Sequence, residues 1–352
     1  MKALDRLYIK EGRWVDAALL CEEAADNPLR GWRQKVWYLK RACARYNSVK
    51  DMKSFVKCHR KARSLVPDEV AAQLKLDIWC PTGVATAYPH VGAADEVLYE
   101  LSTIGESIGE EWTVYGRFIF HFARSLVYRE LEDWEMMIDE GRQFVVWVEA
   151  LSEADGQFQR VHIHIDEDGW PELAGESGRC YCACTVLTEG IAPAERKLGR
   201  DSGNTLDDSD RWLTRYEKLY QSTQCESDGN PNDQGLRVLA ETYKNRVATC
   251  YGKAAVAAFE TGQTARALAY FQQSERLGGR IDGIWQFYKA AALLSDGQKS
   301  EAKTCLQEIS GSVVSDGRGS AIFDKLKEFD SIRNDPDIVD LAKHWKNRNV
   351  RL

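Results

Sequence analysis

Residues 262–271 read GQTARALAYF and residues 297–306 read GQKSEAKTCL. In each stretch a Gly-Gln pair is followed by a small residue, Ala267 or Ala302, and then by a large apolar one, Phe271 or Leu306. The two glycines are 35 positions apart, and so are the two alanines (297 − 262 = 302 − 267). Self-similarity at such a period predicts stacked helical hairpins. The glycine ends one helix in a left-handed backbone conformation that other residues adopt at a cost. The alanine lets two helices approach, and the large residue one turn later fills the groove between hairpins.

The same order recurs at the N-terminus. Tyr8, Gly12, Trp14, Ala17, Cys21 and Ala24 form one unit closed by Pro28, and Leu39, Tyr46, Phe55, Ala62 and Pro67 form a second. A weaker match lies around Tyr128 and Trp134, in YRELEDW. These residues resemble the tetratricopeptide repeat family, and the best-matching segments are 1–28, 32–67, 249–279 and 284–310. The resemblance implies an all-α fold, a right-handed α-solenoid of paired helices presenting a groove to a peptide or protein partner. The expected organisation is N-terminal repeats over 1–155, an irregular insertion with linking helices over 156–235, and C-terminal repeats with capping helices over 236–352. RDSGNTLDDSD at 200–210 and SDGNPNDQG at 227–235 read as polar linkers. The last segment reads as two short helices broken at Asp335-Pro336, a polar cap for the array.

Charge divides the chain sharply. The formal net charge is only −7 over 352 residues. Yet 30–63 carries twelve Lys or Arg against one acid, Asp51 (12 − 1 = +11), while 85–177 carries twenty acids against five Arg (5 − 20 = −15). A concentrated positive surface attracts an acidic protein or nucleic acid; the alternative is a solvated helix face. Arg33, Lys40, Arg41, Arg45, Lys53, Lys57 and Arg60 are the candidate contacts there. A second candidate surface is an apolar C-terminal groove lined by Val256, Phe259, Phe287, Ala291 and Leu294, suited to an apolar helix or strand. Lys40 and Asn47 stand where the resemblance places a carboxylate clamp, but the corresponding helices at 249–259 and 284–294 are mostly apolar, so the full clamp is absent. The acidic stretch adds self-association through another copy's basic end.

Residues 158–166, FQRVHIHID, alternate like a strand, so a short β-hairpin or irregular insertion is expected near 156–177. On a strand His162 and His164 share a face, and with Cys180 and Cys182 they are the only candidate metal ligands. The C-x-C-x-C spacing does not converge on a helix, so no metal and no cofactor are expected. The ten cysteines read mainly as reduced core residues. DGNPND fails as a calcium loop, with Asp233 where glycine is needed and Leu239 where glutamate is needed. Phosphate-loop, nucleophile-elbow and zinc-protease signatures are absent from the sequence. The first residues, MKALDRLYIKEGRW, hold no apolar leader, and no stretch reads as a membrane span. The expectation is a non-enzymatic cytoplasmic scaffold or adaptor, with a regulatory sensor subunit or a nucleic-acid-binding helical protein as the alternatives.

Overall fold

A glycine that ends a helix needs a positive φ, and the chain uses that device repeatedly. Gly12, Gly92, Gly262 and Gly297 sit at φ 74°, 75°, 81° and 81°, and Lys50 and Glu132 adopt the same region at 60° and 57°. At all six the following N–H donates to the carbonyl five residues earlier: Arg13 to Tyr8, Asp51 to Tyr46, Ala93 to Tyr88, Asp133 to Tyr128, Gln263 to Ala258 and Gln298 to Leu293, at 2.8–3.0 Å. This closing bond satisfies a helix-end carbonyl and reverses the chain into the next helix.

The computed structural model describes residues 2–69, 81–108, 114–153, 176–278, 283–309 and 318–347. Among them all regular structure is helical. The chain divides into two compact units, Met1–Gln157 and Phe158–Leu352.

In the first unit four hairpins follow one another. They are α1 (Lys2–Lys10) with α2 (Trp14–Asp26), α3 (Trp32–Ser48) with α4 (Met52–Ser64), α5 (Pro81–His90) with α6 (Ala94–Ile108), and α7 (Val114–Glu130) with α8 (Trp134–Glu153). The second helix of each packs on the first helix of the next: α2 on α3, α4 on α5, α6 on α7.

The second unit begins with α9 (Glu176–Thr185), a π turn (Val186–Ile191) and α10 (Ala192–Lys197), which pack against the long helices α11 (Gly203–Gly229) and α12 (Gln234–Glu260). Pro193 has no N–H to offer the carbonyl of Glu189, and Ala192 N–H donates five residues back to Leu187, so the helix widens there. Two hairpins follow, α12 with α13 (Thr264–Arg276) and α14 (Gly283–Ser295) with α15 (Lys299–Gln307). The end is built from α16 (Arg318–Lys325), a 3-10 turn (Lys327–Ser331) and α17 (Pro336–Asn347), which begins at the expected Asp335-Pro336 break.

Register is the stronger regularity. Five residues after each left-handed residue stand Ala17, Phe55, Val97, Met137, Ala267 and Ala302, all buried. Nine residues after stand Cys21, His59, Leu101, Gly141, Phe271 and Leu306, and these are buried too. Twelve residues after, Ala24, Ala62, Ile104, Phe144, Ser274 and Ile309 complete the same buried stripe. Positions at such spacing lie on one helix face, so six hairpins bury the same face of their second helix.

Two expectations need correction or fall elsewhere. The segment 200–210 is not a linker throughout: α11 starts at Gly203, because Leu206 and Ser209 are buried and Thr205 Oγ1 donates to Glu195 Oε2 at 2.8 Å. The insertion expected near 156–177 lies outside the described residues up to 175, and Glu176 already begins a helix.

Candidate functional site

The basic stretch 30–63 forms the α3–α4 hairpin, and its twelve cations separate into two groups. One group is consumed inside the fold. Arg41 donates to the buried Asp5 at 2.6 Å and Arg45 reaches the same carboxylate at 3.4 Å. Arg41 also lies over the Trp37 ring, 4.7 Å from its centroid. Arg60 donates to Glu96 at 2.6 Å, Arg63 pairs with Glu96 and Glu100, and Lys61 pairs with Asp26 at 2.5 Å. Arg30 donates to the Ala24 carbonyl and covers the Tyr38 ring. These contacts join α3 to α1 and α4 to α6, so much of the local excess of positive charge is neutralised by neighbouring hairpins.

The other group is Arg33, Lys35, Lys40, Lys50, Lys53 and Lys57, none of which makes an ion pair among the described residues. All but Lys35 are exposed. Arg33, Trp37, Lys40 and Ala44 fall on one face of α3, alongside the stripe of buried Val36, Leu39, Ala42, Cys43 and Tyr46. Trp37 is half-buried on that face, between the two exposed cations. Lys53 and Lys57, four residues apart, share the outer face of α4. The seven expected basic contacts therefore do not act alike. Arg33, Lys40, Lys53 and Lys57 are exposed with no ion-pair partner among the described residues, Arg33 lying over the Trp32 ring; Arg41, Arg45 and Arg60 are structural braces.

The expected C-terminal groove is also corrected. Phe259 is buried and packs edge-on against Tyr288, centroids 6.0 Å apart. Phe287 is buried in a cluster with Phe323 and Phe329, each at 6.4 Å, and Ala291 is fully buried. Phe287 is thus core beneath α16 and the 3-10 turn, and Phe259 and Ala291 are interior side chains too. Only Val256 and Leu294 keep partial exposure.

Cys180, Cys182 and Cys184 are buried on α9. Burial pushes the Cys182 thiol up to about 12, and Cys184 is raised by burial and by its hydrogen bond with Cys250 on α12. A thiol held neutral is a poor ligand and a poor nucleophile. His162 and His164 lie outside the described residues. Among the described residues no three His, Cys, Asp or Glu side chains are grouped to hold a metal ion. On α7 and α8, His121 Nδ1 and Arg124 Nε both meet Glu140, at 2.7 Å each, while Ser102 faces the guanidinium at 3.4 Å. The serine is on the wrong partner for a nucleophile–base pair.

One feature was illegible in the sequence. Lys253 is almost fully buried on α12 and donates to Thr185 Oγ1 at 3.0 Å and Tyr181 OH at 3.2 Å. It also pairs with Glu189 of the π turn at 3.2 Å. Burial opposes its charge, but Glu189 and Tyr181 outweigh burial and hold it protonated. It pins the widened turn to α12, and as an ammonium it has no lone pair for nucleophilic chemistry.

The exposed positions repeat in register as the buried ones do. Three and seven residues after each left-handed residue stand Val15 and Leu19, Lys53 and Lys57, Asp95 and Tyr99, Glu135 and Asp139, then in the second unit Ala265 and Ala269, Ser300 and Thr304. All twelve are exposed. The register of buried positions is kept from hairpin to hairpin, while the chemistry of these outward positions changes. No helix is long and apolar enough to cross a membrane among the described residues. No protein-family model matches the chain, and no curated protein matches it.

Proposed function

We propose that the chain is a non-enzymatic cytoplasmic scaffold, a tetratricopeptide-like right-handed α-solenoid that binds a protein partner along its helix faces. The reading rests on one observation: six hairpins keep one turn and one buried stripe while their exposed positions differ in charge and polarity. A repeat of this kind holds its shape by nearest-neighbour packing and leaves its surface free to vary with a partner. The face of α3 carrying Arg33, Trp37 and Lys40 is the contact surface in this reading. A half-exposed tryptophan between unpaired cations combines apolar area with attraction for acidic side chains.

The test is capture of binding proteins by the immobilised chain, their identification, and titration of the strongest with purified chain. The R33E/K40E double variant weakens that binding at least about tenfold. Lys325→Glu on α16, in the other unit, leaves it unchanged. Equal affinity for native and R33E/K40E chains overturns the assignment of this face. Retention of mixed-sequence RNA as the tight ligand replaces the protein partner with nucleic acid.

A further inference from the structure

Two neighbouring helices of the first unit leave unlike rows of side chains along one furrow. On α2 the row Val15, Leu19, Glu23 is exposed, the two aliphatic side chains at 46% and 53%. On α4 the corresponding row is Lys53, Lys57, Lys61. Each row repeats every four residues, so it forms one stripe along its helix. α2 and α4 run in the same direction, because α3 returns the chain between them. They lie side by side, with Lys61 Nζ donating to Asp26 at 2.5 Å across the gap. The other flank of α4 belongs to α6, where Arg60 and Arg63 meet Glu96. The lysine row therefore lies toward α2.

Lys61 is already bound to Asp26, but Glu23, Lys53 and Lys57 make no ion pair among the described residues. Among the six hairpins only α2 places two aliphatic side chains larger than alanine at these exposed positions. An occupant must cover that apolar pair and neutralise the two ammonium groups beside it. A phosphate-rich surface, nucleic acid or anionic bilayer, meets the carboxylates of Glu23 and Asp26 on the same side of α2 and gains nothing from Val15 and Leu19 in the first case. A single helix fits both rows. Its own side chains four residues apart are spaced as these are, and the row from Val15 to Glu23 runs roughly 12 Å, about two helical turns.

We propose that the α2–α4 furrow docks an amphipathic acidic helix of a protein partner. Two apolar residues of that helix, four apart, cover Val15 and Leu19. Two acidic residues on its adjacent stripe meet Lys53 and Lys57, and a basic residue beside Glu23 sets its direction. This is helix-in-groove recognition with the charge pattern fixing register. The inference goes beyond the scaffold reading, which uses the α3 face carrying Arg33, Trp37 and Lys40.

The probe is a phage-displayed library of random peptides of about twelve residues, long enough for three helical turns. It is selected on the immobilised full-length R33E/K40E chain, in which the α3 face is disabled. The enriched peptides carry an acidic pair and an apolar pair, each four residues apart. By fluorescence anisotropy the tightest of them binds native and R33E/K40E chains equally. K53E/K57E and V15S/L19S each weaken it at least about tenfold. Exchanging the peptide's acids for lysines abolishes binding to the native chain and restores it on K53E/K57E to within about tenfold. Circular dichroism of these surface variants matches native. Failure to enrich any peptide that depends on both pairs overturns the proposal. So does indifference to V15S/L19S, or a charge exchange that restores nothing. Retention of mixed-sequence RNA or phosphatidylserine vesicles by R33E/K40E, lost in K53E/K57E, also overturns it. Loss of partner binding at α3 with intact peptide binding, or the reverse, separates the two surfaces.

Discussion

At the tip of the α3–α4 hairpin the left-handed residue is Lys50, and the next residue, Asp51, caps α4 by accepting from Ser54 N–H at 3.1 Å. At the tip of α12–α13 the corresponding residues are Gly262 and Gln263, and no side chain caps α13. A side-chain-bearing residue in the left-handed region is strained, while glycine enters it freely. A capping aspartate satisfies one of the orphan N–H groups at a helix start, while glutamine here does not. One hairpin combines a strained turn with a good cap, and the other a relaxed turn with none. Both close with the same backbone bond, Asp51 to Tyr46 and Gln263 to Ala258. The lesson is that the turn geometry is imposed by the packing of the two helices, and local sequence only changes its cost.

The interiors differ in the same reciprocal way. Phe55 in α4 stands where α13 has Ala267, and His59 in α4 stands where α13 has Phe271. The bulky ring has moved by one turn along the helix. In the first unit, Gly83 on α5 makes room for it, since a Cβ there would lie 2.9 Å from the Phe55 ring. His59 in turn finds a polar partner, its Nδ1 lying 2.9 Å from the Tyr88 hydroxyl.

The largest expected effect breaks this exchange. Phe271→Ala empties a fully buried site and lowers stability by about 3–5 kcal/mol, read from the urea denaturation of the second unit. Restoring volume one turn away, by adding Ala267→Phe, fails to recover it, because Ala267 is fully buried and a ring there overpacks the interior. Recovery in the double variant means the two hairpins have interchangeable interiors.

Next is the cap. Asp51→Ala costs about 1 kcal/mol at neutral pH. The carboxylate is held below its ordinary range by the Ser54 hydrogen bonds, with Lys53 adding to the effect. A group whose folded pKa is depressed contributes fully above its unfolded value, about 4, and loses that contribution as the pH falls through the lowered folded value. The stability difference between native and Asp51→Ala chains therefore shrinks below about pH 4. A difference that stays constant into acid rules out the capping role. Gln263→Asp is the converse change and gains stability in the other hairpin.

The smallest effect is at the turn itself. Lys50→Gly stabilises by up to about 1 kcal/mol, and Gly262→Lys destabilises by a similar amount. Thermal melting of both variants checks the opposite signs. Equal signs show that contacts of the side chains, not backbone strain, decide the exchange.

The sequence alone showed the helical class, the 35-residue recurrence at Gly262 and Gly297, and the concentration of charge at 30–63. Those are local properties: glycine at a helix end, apolar spacing, and composition. The α7–α8 hairpin gave only a weak match because Glu132 replaces glycine at its turn and Met137 replaces the small residue. The register is visible there only once the closing bond from Asp133 to Tyr128 is seen. Tertiary structure decided the rest. Arg41 and Arg45 are sequence neighbours of Lys40, yet they are bound by an aspartate 36 and 40 residues away, Asp5 on α1. Phe287 reads as part of a groove until the terminal segment is seen to lie on it. Which charges are left for a partner depends on what the neighbouring helices have already neutralised, and that is a property of contacts between segments distant in the chain.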